Sequence, residues 1–348
     1  MLRIFSKPFF LVLCLVTLIS GQSAFSCSRI LKAEKNEAVL VARTMDWNKP
    51  MPTHWKVYPK GLSRNGLAEP NHSLEWVSKY GSVVTTAYDA ITTDGINEPG
   101  LAAHILWLDE SNYGERNDAL PGLSVAMWTQ FYLDNFSTVA EAVWFTNSFP
   151  FQIIPAYPPT SPEGVNLHLA LEDATGDSAI IEYTNGKPTV YHDRAYKVLT
   201  NSPTYDQQLQ HLNKFNQLSN TSDEKSLPGT TTSMDRFIRA NFYLARLPHA
   251  TTITNEIAGL QSVVHSVSEP FGVSTPERRH ISPTIWQVMA DLTHRVYYFR
   301  ASTGLNTVWV SLDKLDFRKG SPIMKLDLLS NPNLAGNVAH NFSPESAN

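Results

Sequence analysis

Two cations, Arg3 and Lys7, precede a run of eleven largely apolar residues at 9–19 (FFLVLCLVTLI), and a string of small residues follows it. These are the positive, apolar and small-residue parts of a secretory signal peptide in their proper order, so the folded part of the chain must lie downstream of them. Ala24 and Ser26 supply the small-x-small pattern that signal peptidase accepts. Cleavage after Ser26 makes Cys27 the first residue of the mature chain, with a free α-amino group. One residue then carries both a thiol nucleophile and an amine base. The expectation is a signal peptide over 1–26 and a single globular domain over 27–348, exported to the periplasm or secreted.

Three plainer readings compete. A membrane anchor needs roughly 20 apolar residues, and the run has eleven. A lipid-modified cysteine normally follows an aliphatic residue three places before it and a small one two places before it; here those places hold Ala24 and Phe25, a poor fit. The third reading, an ordinary buried thiol, stays open on Cys27 alone.

Removing 26 residues leaves 322 of the 348, enough for one large core or two modest ones. A hydrophobic fraction of 42% with 17% charged residues is globular composition, not that of a disordered chain. The mature chain carries 26 basic against 32 acidic side chains with no basic run, which points away from nucleic acid and from membrane surfaces. Of the two cysteines, Cys14 lies in the apolar run, so no intramolecular disulfide survives export. A lone thiol in an exported chain calls for an intermolecular bridge, a lipid or reactivity.

The stretch 27–46 reads as a hairpin about the polar Glu34-Lys35-Asn36-Glu37. A turn centred on Lys35 sets Arg43 opposite Cys27, with Asp46 one short step beyond. Strands are expected at 82–88 and 101–108 around a turn at 94–100, then at 166–172, 178–183, 198–200, 284–290, 295–300 and 307–312. Helices are expected at 122–136, 138–146, 253–267 and, capped by Ser233, at 234–247. The proline-rich 149–164 and the polar 213–232 read as loops. Strands in antiparallel-looking pairs with helices gathered between the groups are α+β layering.

Five pieces occur in order: Cys27, Arg43-Thr44-Met45-Asp46-Trp47, Asn97-Glu98-Pro99-Gly100-Leu101, Thr200-Asn201-Ser202-Pro203 and Asp235-Arg236-Phe237. Together they resemble the choloylglycine hydrolase and penicillin V acylase family of N-terminal-nucleophile hydrolases. The likeness runs from Cys27 to about Arg300, and the signal peptide looks like that of the Gram-negative exported branch. It implies a four-layer αββα sandwich of two antiparallel sheets and a homotetramer. It also implies roles: Cys27 as nucleophile with its own amine as base, Arg43 and Asp46 beside it, and Asn201 and the backbone N–H of Trp107 as oxyanion donors. Arg236 completes the polar cluster, and Trp47 and Trp107 help line an apolar acyl pocket. The implied substrates are small N-acyl amides: penicillin V, acyl-homoserine lactones or conjugated bile salts.

The chemistry is coherent without the family. An α-amine titrates near ~7.7–8.0 and a thiol near ~8.5, so the two exchange a proton at neutral pH. A guanidinium beside the sulfur favours the thiolate. An Asn amide plus one backbone N–H makes an oxyanion hole, each donor being worth about 3–4 kcal/mol in enzymes that use one. Singly, each residue has a plainer use: Asn201 before Ser-Pro suits any turn, Arg236 can pair with Asp235, and tryptophans are usually core. No His-Glu-x-x-His, Cys-x-x-Cys, Gly-x-Ser-x-Gly or P-loop occurs, so no metal or cofactor is implied. The non-enzymatic alternative is a periplasmic binding protein or a lipoprotein anchored at Cys27.

Overall fold

The computed structural model describes residues 27–68, 72–157, 164–218, 224–272 and 282–345. The expected signal peptide at 1–26 lies outside the described residues. The main strands are β1 (Cys27–Lys32), β2 (Leu40–Asp46), β3 (Thr53–Tyr58), β4 (Ser82–Ala87), β5 (Ile91–Asn97), β6 (Ala102–Trp107) and β7 (Leu167–Glu172). They continue with β8 (Ser178–Thr184), β9 (Lys187–His192), β10 (Val198–Leu199), β11 (Thr284–Asp291), β12 (Val296–Ala301), β13 (Val308–Ser311) and β14 (Met324–Asp327). The helices are α1 (Val125–Asn135), α2 (Val139–Ser148), α3 (Tyr205–Leu218), α4 (Ser233–Leu244) and α5 (Ile253–Val267).

One sheet runs β10-β1-β2-β11-β12-β13 and is extended at its edge by Gly336–Asn337. The other runs β9-β8-β7-β6-β5-β4-β3-β14 and is extended by Ser343–Pro344. Their long ladders are antiparallel. Helices α4 and α5 cover the first sheet, α1 and α2 the second, and α3 packs against α4. This is the four-layer αββα sandwich. Strands β1, β2, β5 and β6 are buried along their whole length, because each has a helix layer on one face and the opposite sheet on the other.

Several expectations need correction. The β1–β2 hairpin centres on Asn36, not Lys35, and pairs Cys27 with Met45 and Arg43 with Arg29. Asn36 sits at φ +65°, a left-handed conformation that Asn adopts more readily than Lys, so it takes the turn. Residues 94–97 are strand rather than turn; the chain reverses only over 98–100. Asn97 makes that reversal by accepting from the N–H groups of Gly100 and Leu101 while its amide donates to Leu133 and Phe136 at the end of α1. Gly100, at φ +101°, supplies the backbone freedom the reversal needs.

Residues 122–124 form a short strand that pairs with Gln152–Ile154, inside the stretch expected to be loop. The polar 213–218 belong to α3, whose apolar Tyr205, Leu209, Leu212 and Phe215 recur at helical spacing among polar residues. Helix α4 is capped by Thr232, which accepts from the Asp235 N–H, rather than by Ser233. Strands β3 and β9 were not anticipated, since Lys56 and Lys187-Pro188 break the usual strand composition.

Candidate active site

Cys27 opens β1 with 4% of its surface exposed and faces a pocket between the two sheets. Residues alternate sides along a strand, so Cys27, its partner Met45 and the diagonal neighbour Arg43 share one face. The long Arg43 side chain spans the diagonal, with Nη2 3.6 Å from the Cys27 sulfur. The backbone N–H of Asp46 also points at that sulfur. Burial nevertheless pushes the thiol above its ordinary value, outweighing Arg43 and this N–H.

Arg43 is held by a break in the second sheet. Strands β5 and β6 pair at Asp94–His104, Gly95–Ala103 and Ile96–Ala102, and the ladder then opens. The next positions in register are Thr93 and Ile105, and their carbonyls accept from Arg43 at 3.4 and 2.7 Å. The guanidinium thus replaces a rung of the ladder, and the space beyond it becomes the pocket. It also lies 5.3 Å over the Trp286 ring, a cation–π contact that fixes its plane.

Asn201 follows β10 and is oriented by donors on both sides of its amide oxygen. Oδ1 accepts from the Cys27 backbone nitrogen and from Arg236 Nη2 at 2.9 Å. That assigns the Asn201 amide unambiguously, and Nδ2 donates to the Trp107 carbonyl at 2.9 Å. The segment is clamped by Gln208 of α3, whose amide donates to the Asn201 carbonyl at 2.6 Å, and by Ser233, which accepts from the Asn201 N–H at 2.9 Å. Leu108 donates to Asn166 across β6–β7, so by alternation Trp107 turns its carbonyl and N–H to the opposite, site-facing side.

Arg236 reaches in from the first turn of α4. Nη1 donates to the Cys27 carbonyl at 2.7 Å and to Ser28 Oγ at 2.6 Å. Its Nε lies 3.2 Å from Glu269 Oε1 and not on Asp235, whose carboxylate binds Thr230 instead. Asp46 lies on the other face of β2 from Arg43, where Thr284 donates to it at 2.5 Å and Thr44 at 3.3 Å. Thr284 Oγ1 in turn accepts from the Glu269 N–H at 2.8 Å, linking the two acids. Burial pushes Asp46 up to about 8 despite Arg236, and pushes Glu269 up to about 7 despite the same arginine.

The pocket above the sulfur holds about 540 Å³ of empty space including its mouth, and is lined by Met45, Trp47, Tyr88, Ile91, Leu106 and Trp107 among others. Its apolar lining is that of a small-ligand site. The Trp47 and Trp107 rings lie 6.4 Å apart at 54°, and each indole N–H is tied down, to Tyr88 Oη at 2.7 Å and to Asp109 Oδ1 at 2.6 Å. All seven residues singled out from sequence (Cys27, Arg43, Asp46, Trp47, Trp107, Asn201 and Arg236) therefore surround one pocket or its floor. Glu269, Thr284, Gln208 and Tyr88 were missed. Glu and Thr in unremarkable settings carry no spacing signal, and Tyr88 stands out only through its φ of +53°. Among the described residues no group of His, Cys, Asp or Glu could hold a metal ion.

Residues 27–328 match the family described as linear amide C–N hydrolases, choloylglycine hydrolase family. The chain is 38% identical to a penicillin V acylase of Pectobacterium atrosepticum over 95% of its own length and 94% of that protein. It is 29% identical to a bile salt hydrolase/transferase of Clostridium perfringens, covering 83% of this chain and 94% of the other. Among solved structures, the penicillin V acylase of Agrobacterium tumefaciens superposes with a TM-score of 0.84 at 41% identity, over 92% of this chain and 98% of that one. A conjugated bile acid hydrolase of Clostridium perfringens shares the fold at a TM-score of 0.73 and 21% identity, over 88% and 99% of the two chains.

Proposed function

Because the chain belongs to the choloylglycine hydrolase family of linear amide C–N hydrolases, we propose that it is an exported cysteine acylase that cleaves N-acyl amides such as penicillin V or acyl-homoserine lactones. The observation that carries this reading is the placement of Cys27. Its sulfur lies under an apolar pocket, while its backbone nitrogen and carbonyl are held by Asn201 and Arg236. Removal of residues 1–26 turns that nitrogen into an amine, held one residue's reach from its own sulfur.

In the proposed reaction the amine takes the thiol proton as sulfur attacks the amide carbon, forming a C–S bond and a tetrahedral oxyanion. The oxyanion lies between the second Asn201 Nδ2 hydrogen and the Trp107 N–H. Collapse breaks the C–N bond, the Cys27 ammonium protonates the leaving amine, and water then hydrolyses the thioester with the amine again as base. Asp46 accepts hydrogen bonds from the ammonium. The tilted tryptophans fit a phenoxyacetyl or fatty acyl group. The Clostridium perfringens relative supports a second reading, hydrolysis of conjugated bile salts. By family likeness the working enzyme is a homotetramer.

Intact mass of the exported protein is the first test, and a chain starting at an unmodified Cys27 is expected. Residues left ahead of Cys27, or a diacylglyceryl adduct on it, would remove the base and sink the mechanism. Amine release from penicillin V, acyl-homoserine lactones and glycine-conjugated bile salts, with Cys27→Ala as control, then ranks the substrates. Light scattering of the same sample reads the oligomer.

A further inference from the structure

Behind the reactive thiol lies a row of buried charges that the proposed reaction does not use. It starts at Arg29 of β1, fully buried, which pairs with Glu172 of β7 and donates to Ser178 Oγ at 2.6 Å and to the Tyr196 carbonyl at 2.8 Å. The other Glu172 oxygen lies 2.7 Å from His104 Nε2. His104 Nδ1 lies 2.5 Å from Asp94 Oδ2, and that same oxygen is 3.9 Å from Arg43 Nη1. Tyr297 of β12 donates to the second Asp94 oxygen at 2.5 Å. The signs alternate along the row and cross between the two sheets, and it ends on the guanidinium that touches sulfur.

An imidazole between two carboxylates is held as the cation. Burial opposes the charge, but Asp94 and Glu172 outweigh it and raise His104 to about 9. The consequence lies at Arg43. Asp94 has two cations within reach, and the short contact belongs to His104. Without that contact the carboxylate's nearest cation is Arg43, and moving toward Asp94 draws the guanidinium off the sulfur.

We propose that His104 is a positioning residue: as an imidazolium it occupies Asp94, so that Arg43 stays between the β5 and β6 carbonyls and on Cys27. This rests on Cys27 being the reactive thiol, as proposed above. The charged or titratable groups facing His104 and Asp94 are Glu172 from β7, Arg43 from β2, Arg29 from β1 and Tyr297 from β12.

The test is iodoacetamide alkylation of the purified enzyme across pH, read by mass spectrometry on the Cys27 peptide. It needs no turnover, so it stands apart from the substrate assignment: no amine release from wild type would sink the function reading and leave this one intact. His104→Gln should shift the alkylation profile up by about one pH unit, slowing the reaction about tenfold at pH 7. Adding Asp94→Asn should bring most of it back, because the competing carboxylate is gone. A purely structural His104 predicts the opposite, a double variant worse than the single. Should His104→Gln fail to fold, Tyr297→Phe shifts the same profile by less, and ¹⁵N-histidine NMR of the wild type must show one imidazolium still protonated near pH 8.5. An unshifted Tyr297→Phe profile, or no such imidazolium, overturns the proposal.

Discussion

Two buried charge clusters flank Cys27, and they behave in opposite ways. Behind it, Arg29, Glu172, His104, Asp94 and Arg43 alternate in sign, so that Glu172 is held below its usual range by Arg29 and His104 in spite of burial. Beside it, Arg236 stands between Asp46 and Glu269, and burial lifts them to about 8 and about 7. Depth is the same: Asp46 and Glu172 are both fully buried. What differs is how closely the cations engage each acid. Glu172 has Arg29 and His104 in direct contact, whereas Arg236 and Arg43 acting on Asp46, and Arg236 and Arg239 acting on Glu269, do not offset burial, and Arg236 also serves the Cys27 carbonyl and Asn201. Burial of a carboxylate is therefore tolerated as a structural tie in one place and leaves it proton-loving in the other. The second state suits a site that must hold and release protons near neutral pH.

The contrast is broken most severely at Arg236. Arg236→Met takes the cation from Glu269 and a donor from the Cys27 carbonyl, Ser28 and the Asn201 oxygen at once. It should cost about 3–5 kcal/mol in urea unfolding and at least about a hundredfold in kcat/KM. Next comes Arg29→Met, which should cost a similar about 3 kcal/mol of stability but less than about tenfold in activity, because it cuts the row at its far end. Equal activity losses from these two variants would show that the clusters do not divide structure from chemistry.

Asp46→Asn tests the proton-loving cluster by pH. Between the ordinary 3.8 and about 8, the folded protein keeps a proton that the unfolded chain has released, so this group lowers stability as pH rises through that window. The variant should lose activity yet melt higher than wild type at pH 8, with the gap closing toward pH 4. A melting-temperature difference that is constant from pH 4 to 8 would rule the raised Asp46 out. Glu269→Gln should flatten the wild-type profile in the same sense over the narrower window from 4.5 to about 7. The smallest effect belongs to Thr284→Val. It removes one hydroxyl between the two acids and should cost about 1–2 kcal/mol, seen as a lower urea midpoint with an unchanged m-value.

Much of the site could be read in one dimension because its pieces are short and ordered. Cys27, Arg43 and Asp46 belong to one hairpin, and a hairpin sets neighbours by counting alone, although the count was two residues out until Asn36 took the turn. Helix α5 matched its expected bounds because its apolar residues recur at helical spacing. Helix α3 and strand β3 did not announce themselves, since polar residues outnumber the apolar Tyr205, Leu209, Leu212 and Phe215 in the first and the second buries a lysine. Glu269, Thr284 and His104 were illegible for a different reason. A Glu, a Thr or a His has no meaning at a spacing, and each acquires one only from partners on other strands.

The sequence by itself determined the candidate site residues, their order and the layered α+β class, because these depend on local pattern and on residue chemistry. Only the tertiary structure decided which charges meet. Arg236 lies 209 positions from Cys27, and no local rule relates them; they touch because α4 packs on the sheet that Cys27 opens. Stacking the second sheet on the first removes water from Glu172 and Asp94, whereas α4 and α5 on the outer face of the first sheet remove it from Asp46 and Glu269. How directly arginines and histidines engage each acid in the dry layers then settles which carboxylates stay charged and which keep a proton.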